Sequence, residues 1–269
     1  MGLRVVVCVK PVPDPAQYAK VDIDPVRKTL VRTGIPTVLN PLDKHAIEAA
    51  LQLRSAHGGI VRSISMAPPD VVATLREGLA MGVDEAYLLS DRAFAGSDTL
   101  ATSNAICMGI RKAGKFDLVI AGTESADGGT AHVPSQIGEM LGVPHVTNVQ
   151  RIRVLSEAVI AVERTIENGY AELEVDLPAV IAVNRKVNMP RPVSLAGVVT
   201  ARGKPIHVWD AAHLSVDPKT VGLEGSPTQA GDIRTIDLQR KAQRLVGEPG
   251  EVAKEIVAVL KTAGFLTSS

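Results

Sequence analysis

Residues 3–9, LRVVVCV, form an unbroken apolar and largely β-branched run that stops at Lys10-Pro11. A strand with one wet face alternates apolar and polar residues, so a run without alternation needs cover on both faces. That requirement selects a parallel strand inside an α/β sheet. A second such run, LVIA at 118–121, stops at Gly122 and opens into a small, polar loop carrying Asp127, Gly128, Gly129 and Thr130. A helix-like segment with Ile137, Met140 and Leu141 follows. Strand, glycine-rich turn and helix N-terminus together offer backbone N–H groups and a positive dipole end to a phosphate. The stretch matches neither the GxxxxGK[ST] nor the GxGxxG pattern. An ordinary turn whose glycines only satisfy positive φ is the alternative at this point.

Strand and helix signals alternate between these two runs. The segment 11–20, with three prolines, reads as a loop, and VDID followed by KTLVR reads as an antiparallel excursion turning at 25–28. At 39–43 a helix start is legible: Asn40 as cap, Pro41 at the first position and Asp43 as first-turn negative charge. Ala46, Ile47, Ala50, Leu51 and Leu53 supply its buried stripe, and Gly58-Gly59 ends it. A strand at 60–65, a helix through Leu75 and Leu79 to Gly82, and a strand at 85–89 come next. Residues 90–103, SDRAFAGSDTLATS, hold more hydroxyls and carboxylates than a connection needs, with Ser97 or Asp98 able to cap the helix that follows. This rhythm gives a Rossmann-like, doubly wound, mostly parallel sheet, with ligands expected at the strand C-terminal ends. Those ends are Cys8 to Lys10, Ser65 to Ala67, Ser90 to Asp91 and Gly122 to Thr130.

The second half is β-rich, with strands expected at 146–154, 158–164, 170–176 and 179–184. Asn168-Gly169 between alternating runs is a strong hairpin signal. Segment 189–205 has no strong helical period, and Trp209, the single tryptophan, reads as core. The globular pattern fades at 222–225, so residues 1–225 are expected to form the α/β domain and 226–269 a C-terminal arm, helical at 232–246 and 250–260.

Aromatics are 3% of the chain and its formal net charge is zero, which argues against a nucleic-acid platform. No apolar stretch reaches membrane-spanning length, and the N-terminus has no signal-peptide pattern, so a cytoplasmic location is expected. Cys8 and Cys107 form no metal-spaced set, and no GxSxG, HExxH or His/Cys/carboxylate cluster is present. His132 alone among six histidines adjoins the candidate loop, placed to donate a hydrogen bond rather than act as a base. A chain without its own catalytic set points to a cofactor that carries the chemistry.

Particular stretches resemble one family. VCVKPVPD at 7–14, NPLDKHAIEAAL at 40–51, LREGLAMGVDEAYLL at 75–89, DGGTAHV at 127–133, VERTIENGYAELEVDLPAVIAV at 162–183 and PRPVSLAG at 190–197 resemble the β subunit of electron-transfer flavoproteins. The resemblance runs in order over nearly the whole chain. It implies a heterodimer with an α subunit, on which the arm would pack, and electron exchange with acyl-CoA dehydrogenase-type partners. It also implies an adenine nucleotide held by Cys8, Val9, Lys10, Asn40, Pro41, Leu42, Asp43, Ser65 and Met66. The loop would contribute Gly122, Thr123, Glu124, Ser125, Ala126, Asp127, Gly128, Gly129, Thr130, Ala131, His132 and Val133.

In one branch of the family the nucleotide is a structural AMP. In the electron-bifurcating branch it is FAD, reduced by NADH, with one electron sent on to ferredoxin or flavodoxin. Segment 90–103 resembles the bifurcating branch, which implies FAD with Asp91, Phe94, Thr99 and Thr102 beside it. Gly129 departs from that branch, whose members often have aspartate there. The resemblance also implies docking to a dehydrogenase through Met189, Pro190, Arg191 and Leu195, with Leu195 as apolar anchor. A carrier with AMP alone and a stand-alone nucleotide-binding protein are the competing readings.

Overall fold

The computed structural model describes residues 2–20, 22–24, 29–31, 34–229, 231 and 242–266. In chain order its strands are β1 Leu3–Cys8, β2 Pro11–Pro13, β3 Asp22–Asp24, β4 Thr29–Val31, β5 Thr37–Leu39, β6 Gly59–Met66, β7 Glu85–Leu89, β8 Leu118–Gly122, β9 His145–Val154, β10 Val159–Ile166, β11 Gly169–Asp176, β12 Ala179–Val183 and β13 Ile206–Trp209. The helices are α1 Pro41–His57, α2 Val72–Met81, α3 Thr99–Ala113, α4 Val133–Leu141, α5 Leu195–Ala201, α6 Ala211–Leu214 and α7 Pro249–Thr262.

The unalternating runs occupy the middle of one large sheet. Its order is β11-β10-β9-β12-β8-β1-β6-β7-β13. From β9 to β13 every pairing is parallel, while β10 folds back antiparallel between β9 and β11. The pleat sends alternate residues of one strand to opposite layers. Val5, Val7, Ile120 and Ile181 pack with Ile47, Ala50 and Leu51 of α1 and with Leu75 and Leu79 of α2. Val6, Cys8, Val119 and Val180 pack with Cys107 and Ile110 of α3 and with Ile137 of α4. Each such side chain, taken fully out of water, contributes about 1.5–3 kcal/mol. The doubly wound α/β fold expected from the sequence is therefore the fold observed.

Several local expectations are corrected. Segment 11–20 is not all loop: β2 pairs antiparallel with β5, and residues 15–20 form a 3-10 helix. The prolines of β2 lack N–H groups, but flanking donors close the ladder, with Asn40 N–H reaching the Lys10 carbonyl at 2.9 Å and Asp14 N–H the Pro36 carbonyl at 2.9 Å. The β3–β4 excursion forms as expected, while its turn at 25–28 lies outside the described residues. Segment 189–205 contains α5, too short to give a period, and is followed by β13, an edge strand of four residues parallel to β7. Trp209 at its end is half-buried, its ring tilted on Tyr87 at 4.6 Å with the Lys112 ammonium 5.4 Å away.

Compact packing extends to Gly231, with a second unit over Asp232–Ser269. Val221 and Ser226 are buried within the first. The helix expected at 232–246 falls mainly outside the described residues, and 242–246 are irregular. In the second unit, Ile256, Val257 and Val259 of α7 and the following Phe265 are exposed. Among the described residues no helix is long and apolar enough to cross a membrane, and no cluster of His, Cys, Asp or Glu could hold a metal ion.

Helix α5 sits directly on the backbone of α2. A Cβ at Gly197 would stand 2.3 Å from the Ala80 carbonyl oxygen, a contact that no rotamer change relieves. Gly197→Ala is expected to cost about 1–3 kcal/mol by overpacking and to lower the melting temperature by roughly 3–10 °C. An unchanged thermal transition would count against this packing.

Candidate functional site

The sheet has a reversal of winding beside β1. The chain runs from β1 through α1 to β6 and on to β7, then returns to place β8 on the other side of β1. Loops leaving the C-terminal ends of β1 and β8 therefore diverge, which opens a crevice where ligands bind in open α/β sheets. Cys8, Val9 and Lys10 lie at one lip and Gly122 at the other, and Ser65 and Met66 end the next strand, β6.

The start of α1 closes the back of this crevice. Asn40 is not a side-chain cap. Its amide instead donates to Asp43 Oδ1 at 3.0 Å and to the Glu124 carbonyl at 2.9 Å, and accepts from Ala126 N–H at 3.1 Å. The backbone carbonyl of Asn40 accepts from Asp43 N–H and Lys44 N–H, so the helix begins without side-chain help. Asp43 is buried, and its carboxylate accepts from Lys10 N–H at 2.7 Å and Gly122 N–H at 3.3 Å. Burial pushes this carboxyl up to about 7, against the pull of Asn40, the two backbone donors and the Lys10 charge. Pro41 and Leu42 complete the turn, with Leu42 Cβ against Gly122.

Loop 123–132 forms the outer wall. Thr123 is fastened to β12, its N–H and hydroxyl both donating to the Val183 carbonyl. Gly129 N–H donates to the Ser125 carbonyl at 2.8 Å, and Gly129 and Ala131 have φ of 60° and 56°. The Lys10 ammonium bridges Asp127 at 2.7 Å and Ser125 Oγ at 3.3 Å, over the face of Gly128. Gly128, Gly129, Thr130 and His132 are exposed, and Val133 begins α4. A lysine ammonium paired with Asp127, an exposed glycine turn and a helix N-terminus converge here. Their joint chemistry is that of an anion cradle.

A model of the electron transfer flavoprotein domain matches residues 28–214. The chain is 40% identical to an electron transfer flavoprotein subunit beta of Clostridium acetobutylicum, over 98% of this chain and 100% of that protein. It is 42% identical to the caffeyl-CoA reductase-Etf complex subunit CarD of Acetobacterium woodii, covering 96% and 98%. With the FixA protein of Azorhizobium caulinodans it shares 41% identity, covering 84% and 82%. The chain belongs to the electron transfer flavoprotein β-subunit family.

In this family member, segment 90–103 lies beside the start of α4, where Ser103 Oγ donates to Gln136 Oε1 at 3.0 Å and Thr99 makes a further bond. Thr99 Oγ1, in the first turn of α3, accepts from Gln136 Nε2 of α4 at 3.2 Å, which sets two helix N-termini side by side. The remaining residues singled out there have intramolecular partners. Asp91 accepts from Ala93 N–H and Ala211 N–H, each at 3.0 Å, which hold it below the usual carboxylate range. Phe94 is buried in the core, and Thr102 is half-buried. Asp98, rather than Ser97, caps α3, and its other oxygen accepts from Thr228 N–H.

The first part of the segment expected to dock, residues 188–191, is held by α1. His45 Nδ1 lies 3.0 Å from the Asn188 carbonyl and 3.1 Å from Asn188 Oδ1, both acceptors, so Nδ1 bears the proton. Asn188 Nδ2 returns a bond to the His45 carbonyl. Arg191 grips buried Glu48 through Nε at 2.6 Å, Nη2 at 3.1 Å and its backbone N–H at 3.2 Å. Burial opposes the Glu48 charge, but the Arg191 bonds outweigh it and hold the carboxylate below its usual range. Met189 and Leu195 are 87% and 81% exposed, while Pro190 is half-buried. Sequence reasoning missed His45 and Glu48. A glutamate inside the stripe Ala46, Ile47, Ala49, Ala50 was the available signal, since a buried charge demands a partner.

Both cysteines are buried and free. Burial raises the Cys8 thiol, helped by Cys107 and Asp43, and pushes Cys107 up to about 12. Neither is a thiolate at neutral pH. Titration with a thiol-reactive disulfide near pH 8 is expected to find no fast thiol in the folded protein and both after denaturation. A thiol that reacts at the rate of a small-molecule thiol would refute the burial of that cysteine.

Proposed function

We propose that this chain is the β subunit of a heterodimeric electron transfer flavoprotein and holds FAD in the crevice between β1 and β8. Under this reading electrons enter from NADH, then divide between the flavin of the α subunit, serving a dehydrogenase, and ferredoxin or flavodoxin. The observation that carries the nucleotide assignment is the anion cradle at the point of winding reversal. A second observation tests the fit. Ser65 Oγ, fully buried at the end of β6, is the single buried side-chain polar atom without a hydrogen-bond partner among the described residues. An unmet buried hydroxyl costs about 1–3 kcal/mol, and a shift at the end of β6 would be needed to bring the edge of an adenine base within its reach.

The chain's residues divide the work. Lys10 and the N–H groups around Gly128 to Ala131 would neutralise phosphate charge, and main-chain groups near Cys8 and Met66 would meet the adenine. FAD, when bound, supplies hydride acceptance and one-electron transfer. The adjacency of the α3 and α4 N-termini supports FAD, because it leaves segment 90–103 bordering the phosphate wall. A carrier with AMP alone is the second reading. It is favoured by the engagement of Asp91 and Phe94 within the protein, and by Gly129. The second unit, rather than the whole arm from residue 226, is assigned to the α subunit, on the strength of the exposed apolar side chains of α7. A cytoplasmic location goes with these soluble partners.

Leu195 stands exposed at the start of α5, which rests on α2, just after residues 188 and 191 that α1 holds. It is assigned as the anchor for an acyl-CoA dehydrogenase-type partner, since a rigidly presented apolar side chain suits a small binding hot spot.

Nucleotide released by acid from the purified heterodimer decides between the two cofactor readings. Two FAD per heterodimer is the expected result, and one FAD with one AMP overturns the bifurcating assignment. Leu195→Ala is expected to slow electron delivery to the dehydrogenase about tenfold with nucleotide content unchanged. An unaltered transfer rate refutes the anchor.

A further inference from the structure

Asp43 is a buried carboxylate set between the ends of β1 and β8. Its two oxygens receive donors from three directions: Lys10 N–H at the end of β1, Gly122 N–H at the end of β8 and the Asn40 amide at the start of α1. Asn40 then carries the chain of bonds to the Glu124 carbonyl and Ala126 N–H in the ligand loop. A carboxylate accepts at both oxygens and donates at neither, whereas an amide in the same place would turn an NH2 group against an N–H. Gly122 is part of the device. A Cβ there would stand 2.5 Å from Asp43 Oδ1 and 2.7 Å from Leu42 Cβ, so the carboxylate reaches the strand end only because that residue is glycine.

We propose that Asp43 is a positioning residue for the nucleotide: without touching it, the carboxylate sets the separation of the β1 and β8 ends and the course of loop 123–127. This rests on the nucleotide-site reading above. The titratable and charged groups facing Asp43 are the Lys10 ammonium, itself held by Asp127, and the Cys8 thiol, which stays protonated. With its pKa raised to about 7, the carboxylate is ionised above that pH and bonds all its donors. Below it, a proton on either oxygen displaces one of them. The stability sign is opposite to the binding sign. The folded state keeps a proton that the unfolded chain releases between about pH 4 and 7, so the stability held below that window is lost progressively across it and is gone above it.

The test uses the full chain, co-purified with its α subunit and stripped of nucleotide, with AMP as the calorimetric probe. Asp43→Asn is expected to weaken AMP about tenfold near pH 8.5, and the gap from wild type to close near pH 6, a comparison in which the ionisation of AMP itself cancels. The melting temperature of the empty Asp43→Asn protein near pH 8.5 is expected not to fall, since a neutral side chain replaces a buried charge. Asn40→Ser keeps the carboxylate and removes the arm to the loop. It is expected to weaken AMP in the same direction, with the double variant less than additive. If Asp43→Asn fails to fold, Asn40→Ser decides alone. Wild-type affinity in the variants, or a pH-independent loss with a lowered melting temperature, overturns the positioning role. Absence of AMP binding in the wild type at every pH overturns the nucleotide-site reading itself.

Discussion

The constraint on which the molecule depends is that its central strands are covered on both faces. β1, β8 and β12 bury nearly every side chain, so they cannot carry polar chemistry along their length. Polar function is displaced to where the strands stop. The backbone groups at those stops must still be satisfied, because an unpaired buried N–H costs as much as a lost hydrogen bond. Lys10 N–H and Gly122 N–H lie at neighbouring strand ends with no further strand to pair with, and Asp43 takes both. The site thus grows out of the need to finish the sheet.

Helix α1 carries two of the buried carboxylates, and each faces a different task. Asp43 meets only neutral donors directly, and burial raises its pKa. Glu48, five residues on, meets a guanidinium, and the pairing lowers its pKa. The contrast follows from partner charge, since a full positive charge repays desolvation more completely than backbone dipoles do. One carboxylate is poised to titrate near neutrality and the other is locked in its charged form. The first adjoins the crevice and the second holds the segment that leads to Leu195.

The fold was legible in the sequence because burial on two faces leaves a plain mark. Unalternating runs at 3–9 and 118–121, helix stripes such as Ala46, Ile47, Ala50 and Leu51, and Asn168-Gly169 all led to elements that exist. Short elements were lost for a physical reason. β2 has prolines at both ends and borrows donors from neighbours, and α5 and β13 are stabilised by packing on α2 and pairing with β7 rather than by a pattern of their own. The loop 122–133 was visible as a candidate because glycines after a buried strand are a local signal. The network of Asn40, Asp43 and the loop was not, because its bonds join residues up to 86 positions apart. Local pattern placed Asn40 as a cap, and tertiary structure found its amide better partners.

Helix α1 also links what the sequence presents as separate regions. Its first turn is bonded to both crevice lips and to the ligand loop, and its second holds residues 188 and 191 through His45 and Glu48. A helix of this length is stiff on the scale of these contacts, so a displacement at Asp43 is carried as a rigid movement rather than absorbed between the turns. Residues 188 and 191 therefore take their position from the same helix whose start closes the crevice, while α5 beyond them rests on α2. Any change in the crevice that shifts α1 must move Arg191 with it or leave the buried Glu48 carboxylate without the half-exposed guanidinium that holds it. That loss makes joint movement the favoured response.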